Sequence, residues 1–128
     1  MKTLGSAHLR RVRTLEFSDL RAGDIVLIRT KNNLYSFSVA NERTLCGRLL
    51  SGLNKGQFPD AVLVGAVGGR EGGRQMLTSR LVTQAQALFA IQRGNAVIRL
   101  TTSTVVSLCC VRPMEENHES ARTAFEPT

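Results

Sequence analysis

Ile25-Val26-Leu27-Ile28-Arg29-Thr30-Lys31-Asn32-Asn33-Leu34-Tyr35-Ser36-Phe37-Ser38-Val39-Ala40 is the stretch on which the fold turns. Residues 25–28 are a short apolar run rich in β-branched side chains, which suits a buried strand better than a helix. Tyr35, Phe37 and Val39 then alternate with Ser36 and Ser38, the period of two that puts every second side chain in a core. Lys31-Asn32-Asn33 between them is turn chemistry, because asparagine tolerates the left-handed conformation of tight hairpins. The reading is an antiparallel β-hairpin over 25–40.

Working outward, Ser18-Asp19-Leu20-Arg21-Ala22-Gly23-Asp24 is an entry turn, with Gly23 free to take positive φ and the aspartates placed to cap backbone. A third strand is expected over 45–50, a loop over 51–60 marked by two glycines and Pro59, and a fourth strand over 61–67. The glycine-rich 68–74 reads as a flexible link. Residues 79–93 fit two patterns. Leu81, Val82, Ala85, Leu88 and Phe89 share a helical face, whereas Ala85, Ala87, Phe89 and Ile91 alternate. A strand over 85–92 is preferred, since Arg93-Gly94-Asn95 is a hairpin turn into Val97-Ile98-Arg99-Leu100, while 79–84 has room for a helical turn. A last strand over 104–111 ends before Pro113. About seven short strands separated by turns indicate an all-β fold, a small antiparallel β-barrel or compact sandwich.

The 128 residues suit one domain of ordinary size, divided into a basic N-terminal arm (1–15), a β-barrel domain (16–112) and an acidic C-terminal tail (113–128). Within the arm, Ser6 to Arg13 has the length for one helical turn against a partner, but nothing to stabilise it alone. The formal charge of +7 is uneven: residues 1–13 carry +4, residues 14–112 carry +6, and the tail carries −3 through Glu115, Glu116, Glu119 and Glu126 against Arg122. Fourteen of the seventeen basic residues are arginine, whose planar fork of donors matches phosphate and carboxylate. A tail of opposite sign can fold back over a basic patch or simply solubilise the end.

Several chemistries are disfavoured. Residues 14–112 hold no histidine, and no G-x-S-x-G, H-E-x-x-H or P-loop sequence occurs. The expectation is therefore a protein that is not an enzyme and needs no cofactor. Cys46, Cys109 and Cys110 are odd in number, and adjacent strand residues face opposite ways, so neither a disulfide framework nor a zinc site is expected. The thiols read as small apolar filler in a reducing compartment. No signal-length apolar stretch follows the basic N-terminus, and Ala61 to Val67 is far too short to span a bilayer. A cytoplasmic location is expected.

What remains is binding. Arg10, Arg11 and Arg13 in the arm, with Arg29, Lys31, Arg43, Arg48, Arg70, Arg74, Arg93 and Arg99 on or beside strands and turns, are the candidate contacts to an acidic partner. Nucleic acid stands foremost, bound through its backbone, because stacking platforms are scarce: Tyr35, Phe37 and Phe89 read as core, leaving Phe17 and Phe58 as exposed candidates. The alternative is a structural or protein-interaction subunit, self-assembling into a homo-oligomer, whose charge serves only solubility. Val105, Val106 and Val111 with Thr101 to Thr104 would supply its pairing strand.

Overall fold

Alternation at 35–39 becomes burial. Phe37 and Val39 are buried while Ser36 and Ser38 are half-exposed on the opposite face. The computed structural model describes residues 7–52, 56–70 and 73–113, with backbone alone at Ala7, Gly69, Arg70, Gly73 and Arg74. Its strands are β1 (Ala7–Val12), β2 (Thr14–Glu16), β3 (Ile25–Thr30), β4 (Leu34–Asn41), β5 (Cys46–Ser51), β6 (Gly56–Arg70), β7 (Gly73–Leu77), β8 (Arg80–Val82), β9 (Gln86–Arg93) and β10 (Ala96–Pro113). A 3-10 turn, Phe17–Asp19, leads toward β3. The acidic tail beyond Pro113 lies outside the described residues.

The fold is all-β and antiparallel. Eight strands form one sheet, and β2 and β8 form a separate pair. Pairings run β10–β3–β4–β5–β6–β9 and return to β10. That ring of hydrogen bonding does not close as a barrel. The reason lies in β10, whose residues 96–104 pair with β9 and whose residues 105–111 pair with β3, with register shifts between Thr101 and Thr104 and between Val105 and Ser107. The expected strands over 97–100 and 104–111 are thus one long strand that changes partner at a polar kink. Thr102 is buried there. Its Oγ1 accepts from the Ala87 N–H at 3.0 Å and donates to the Ser103 carbonyl at 2.6 Å, which satisfies groups that the irregular ladder leaves over.

The core fills the ring. Val26, Ile28, Phe37, Leu49, Leu63, Phe89, Ile91 and Leu108 meet inside, with the Phe37 and Phe89 rings 5.4 Å apart. Leu15 on β2 faces Leu81 on β8, and both are buried in the same cluster. At Gly47 the chains approach so closely that a Cβ would strike the Ser38 carbonyl, so no larger residue fits without moving backbone.

Several expectations are corrected. Residues 7–12 are neither an arm nor a helical turn but a strand paired along the outer half of β10, from Ala7 opposite Pro113 to Val12 opposite Leu108. Residues 56–60 belong to β6 rather than a loop. Pro59 is accommodated where the β5–β6 register shifts, a position where a missing N–H does not break a ladder. The glycine-rich link is the β6–β7 hairpin, paired from Ala66–Leu77 to Arg70–Gly73. Residues 80–82 are a strand, and Gln84 at φ 73 turns the chain where a helix was allowed. Positive φ does occur at Gly23 and Gly94, as their turns require, but neither Asn32 nor Asn33 adopts it. Instead the Thr30 N–H and hydroxyl both donate to the Asn33 carbonyl.

Candidate nucleic-acid interface

Because directly paired residues share a face of a sheet, the register fixes which side chains lie together outside the ring. One outward row runs Leu9–Val111–Ile25–Ser38–Arg48, and the next runs Arg11–Cys109–Leu27–Ser36–Leu50–Gln57. A third joins Ser107, Arg29 and Leu34. Three arginines thus stand on one face, on β1, β3 and β5. Each is two strands from the next, roughly 10 Å across the sheet at the usual interstrand spacing, and each stands in a different row. All three are exposed. The rows contain no aspartate or glutamate up to Arg48, and beyond it the exposed Asp60 stands in the register shift on β6. Between the arginines lie half-buried Ser36, Ser38 and Ser107 and an apolar floor of Ile25, Leu27, Leu50 and Val111.

None of the three is neutralised. Among the described residues the ion pairs are Arg80–Glu16 at 3.3 Å and Arg112–Asp24 at 2.7 Å. The floor supplies aliphatic carbon without rings. It can lie against a sugar or an alkyl chain, but it offers no base a stacking partner.

The remaining candidates do not join this face. Arg10 alternates with Arg11 and projects toward the inner row, opposite Cys110. Arg13 is exposed at the β1–β2 junction, its carbonyl accepting from the Thr83 N–H at 2.9 Å. Lys31 sits on the β3–β4 turn beyond Arg29, Arg43 on the β4–β5 turn, and Arg93 at the tip of the β9–β10 hairpin, all exposed. Arg99 stands on a different outward surface, beside a groove lined by Val67, Met76 and Leu88. Arg70 and Arg74 lie at the end of the β6–β7 hairpin, and their side chains fall outside the described part. Phe17, expected to be exposed, is buried against the core, and Phe58 is half-buried and packed on it, so neither is a stacking platform.

A polar cluster that the sequence did not announce lies at the end of β10. Asp24 caps its turn by accepting the Arg21 N–H at 2.9 Å, as the entry-turn reading predicts. It also receives Arg112 across 88 residues of sequence, Nε to Oδ1 at 2.8 Å and Nη2 to Oδ2 at 2.7 Å. Burial works to raise the Asp24 carboxyl. The Arg112 hydrogen bonds, the Arg21 N–H and both guanidinium charges outweigh it and hold the group below its usual value. Burial, reinforced by Asp24, pushes the neighbouring Cys110 thiol up. Cys109 faces outward, as the opposite orientation of adjacent strand residues requires, and all three cysteines are free.

No helix among the described residues is long and apolar enough to cross a membrane. Compared with known proteins, the chain matches no family model, no curated protein and no solved structure.

Proposed function

We propose that this protein is a non-enzymatic binding module of the reducing cytoplasm whose β1–β10–β3–β4–β5 face engages an acidic partner, nucleic acid foremost. The observation that carries the reading is the set of Arg11, Arg29 and Arg48 on one face, each exposed and, among the described residues, without an ion pair. Arginine forks donate in parallel to phosphate oxygens, and neutralising phosphates releases counterions. The rows of this face carry no aromatic ring, so contact to the backbone is favoured over reading of bases.

The test is a salt titration of binding to random single- and double-stranded nucleic acid. Three phosphate contacts give a slope of about −2 to −3 in log affinity against log salt, and replacing the three arginines with glutamine removes most of it. Absence of binding at low salt, or an unchanged slope in the triple variant, overturns the reading.

A second reading, a self-associating subunit, is favoured by a separate observation. Residues 96–104 of β10 pair with β9 alone, so among the described residues their other edge has no strand partner. Val97 and Ile98 on that segment are 65% and 42% exposed. An unpaired edge carrying exposed β-branched residues is a template for strand addition. The segment overlaps the expected one at Thr101 to Thr104 and departs from it at the valines: Val105 is buried in the core and Val111 is half-buried, while Val106 is exposed where β10 already has β3 beside it.

A further inference from the structure

Under the overhang of β1 lies a cavity of about 300 Å³ lined by His8, Leu9, Arg10, Cys110 and Arg112. Four of its five lining residues belong to the inner rows of the sheet, while Leu9 at its edge belongs to the outward row. Register places His8 opposite Arg112 and Arg10 opposite Cys110. Arg10 and Arg112 are therefore diagonal cross-strand neighbours, roughly 7–8 Å apart at the backbone and within reach of long side chains.

Arg112 is held before any ligand arrives. Its Nε and Nη2 bond the two oxygens of buried Asp24, and Nη2 also donates to the Asp19 carbonyl at 2.7 Å. These bonds occupy three of the five guanidinium donors and fix the plane of the fork. Among the described residues Nη1 carries no hydrogen bond, and its two donors remain. Asp24 cancels one positive charge, which leaves the Arg10 charge uncompensated, since Arg10 has neither an ion pair nor a hydrogen bond among the described residues. Cys110 forms the floor and adds no negative charge while its thiol is protonated.

From this we infer that the His8–Arg10–Arg112 cavity is a binding site for a single oxyanion, a phosphate or carboxylate group held between Nη1 of Arg112 and the Arg10 guanidinium, with His8 at the rim. A fixed guanidinium loses little freedom on binding, which favours a small ligand. The volume sits at the lower end of ligand pockets, enough for the oxyanion and part of its carrier. The group has two sources of one chemistry: a free phosphate, or the carboxylates of Glu115, Glu116 and Glu119, which follow closely on Arg112 in the sequence.

The site does not depend on the nucleic-acid reading, and the experiment separates them. Inorganic phosphate is titrated into the full chain at low ionic strength while the backbone amide resonances of residues 8–10 and 110–112 are followed. Saturable shifts confined to these strands are expected. Arg10→Gln weakens them about fivefold or more, the loss of one charge-assisted bond, with an unchanged melting temperature. The Arg11, Arg29, Arg48 triple glutamine variant retains them. Replacing Glu115, Glu116 and Glu119 together by glutamine distinguishes the sources. Tighter phosphate binding identifies the tail as resident ligand, and equal binding identifies an external anion. Absence of a saturable response in both the full chain and this variant, or the same response in Arg10→Gln, overturns the site.

Discussion

The β3–β4 and β9–β10 hairpins are built from similar sequence and meet opposite fates. In β3–β4, Val26, Ile28, Phe37 and Val39 are all at or below 3% exposure. In β9–β10, burial is as deep at Ala87, Leu88, Phe89 and Ile91, yet residues 92–99 are exposed without a break although Val97 and Ile98 are equally apolar. The difference is in neighbours. β3 has β10 on one side and β4 on the other, and β4 passes on to β5, so the whole hairpin is wall. The far half of β9–β10 has no third strand beside the first part of β10 and extends past the core. Apolar character makes a residue a candidate for the interior; the next strand decides whether it gets there.

Three substitutions grade that contrast, from the wall to the extension. Phe37→Ala opens a cavity against Phe89 and is expected to cost about 3–5 kcal/mol in denaturant unfolding, the range for a buried aromatic. A loss below about 1 kcal/mol would mean that the wall is no tighter than the extension. Asp24→Asn, at the foot of the same hairpin, removes the charge that holds Arg112, and a loss of about 2 kcal/mol is expected because Arg112 keeps access to water. The sign with pH follows from the lowered Asp24 carboxyl. Its stabilisation is fully present above the unfolded value, near 3.9, and is lost as pH falls through the lower folded value. The acid arm of the stability curve of Asp24→Asn should therefore be flatter than that of the parent. Smallest is Ile98→Lys, expected to change stability by about 0.5 kcal/mol or less, since the position is already wet. The same variant tests self-association: if the free edge pairs copies of the chain, light scattering shows a mass that falls to the monomer on substitution, and a monomeric parent at high concentration dismisses the second reading.

Legibility followed the range of the interaction. The hairpin at 25–40, the turns at Gly23 and Gly94 and the strand over 85–92 were readable because each rests on period-two alternation or on a φ that few residues adopt. β1 was not, because Ala7-His8-Leu9-Arg10-Arg11-Val12 has no sustained period. It is a strand because the outer edge of β10 accepts its backbone. Phe17 and Phe58 misled for the same reason: the residues around them are polar or turn-forming, and only the assembled core shows that both rings are covered. For the site, sequence marked the arginines but could not sort them. Arg11 and Arg10 differ by one position and project to opposite sides of β1, one onto the arginine face and the other toward the cavity.

Sequence by itself determined the β class, most strand positions, the opposed Cys109 and Cys110, and an arginine-rich body of high positive charge, since these depend on side-chain period and composition. Only the tertiary structure decided that β10 serves two sets of partners, that Arg11, Arg29 and Arg48 share a face, and that Arg112 is anchored to Asp24 beside an open cavity. Those outcomes depend on register between strands far apart in the chain, and a shift of one residue would move every side chain to the other face.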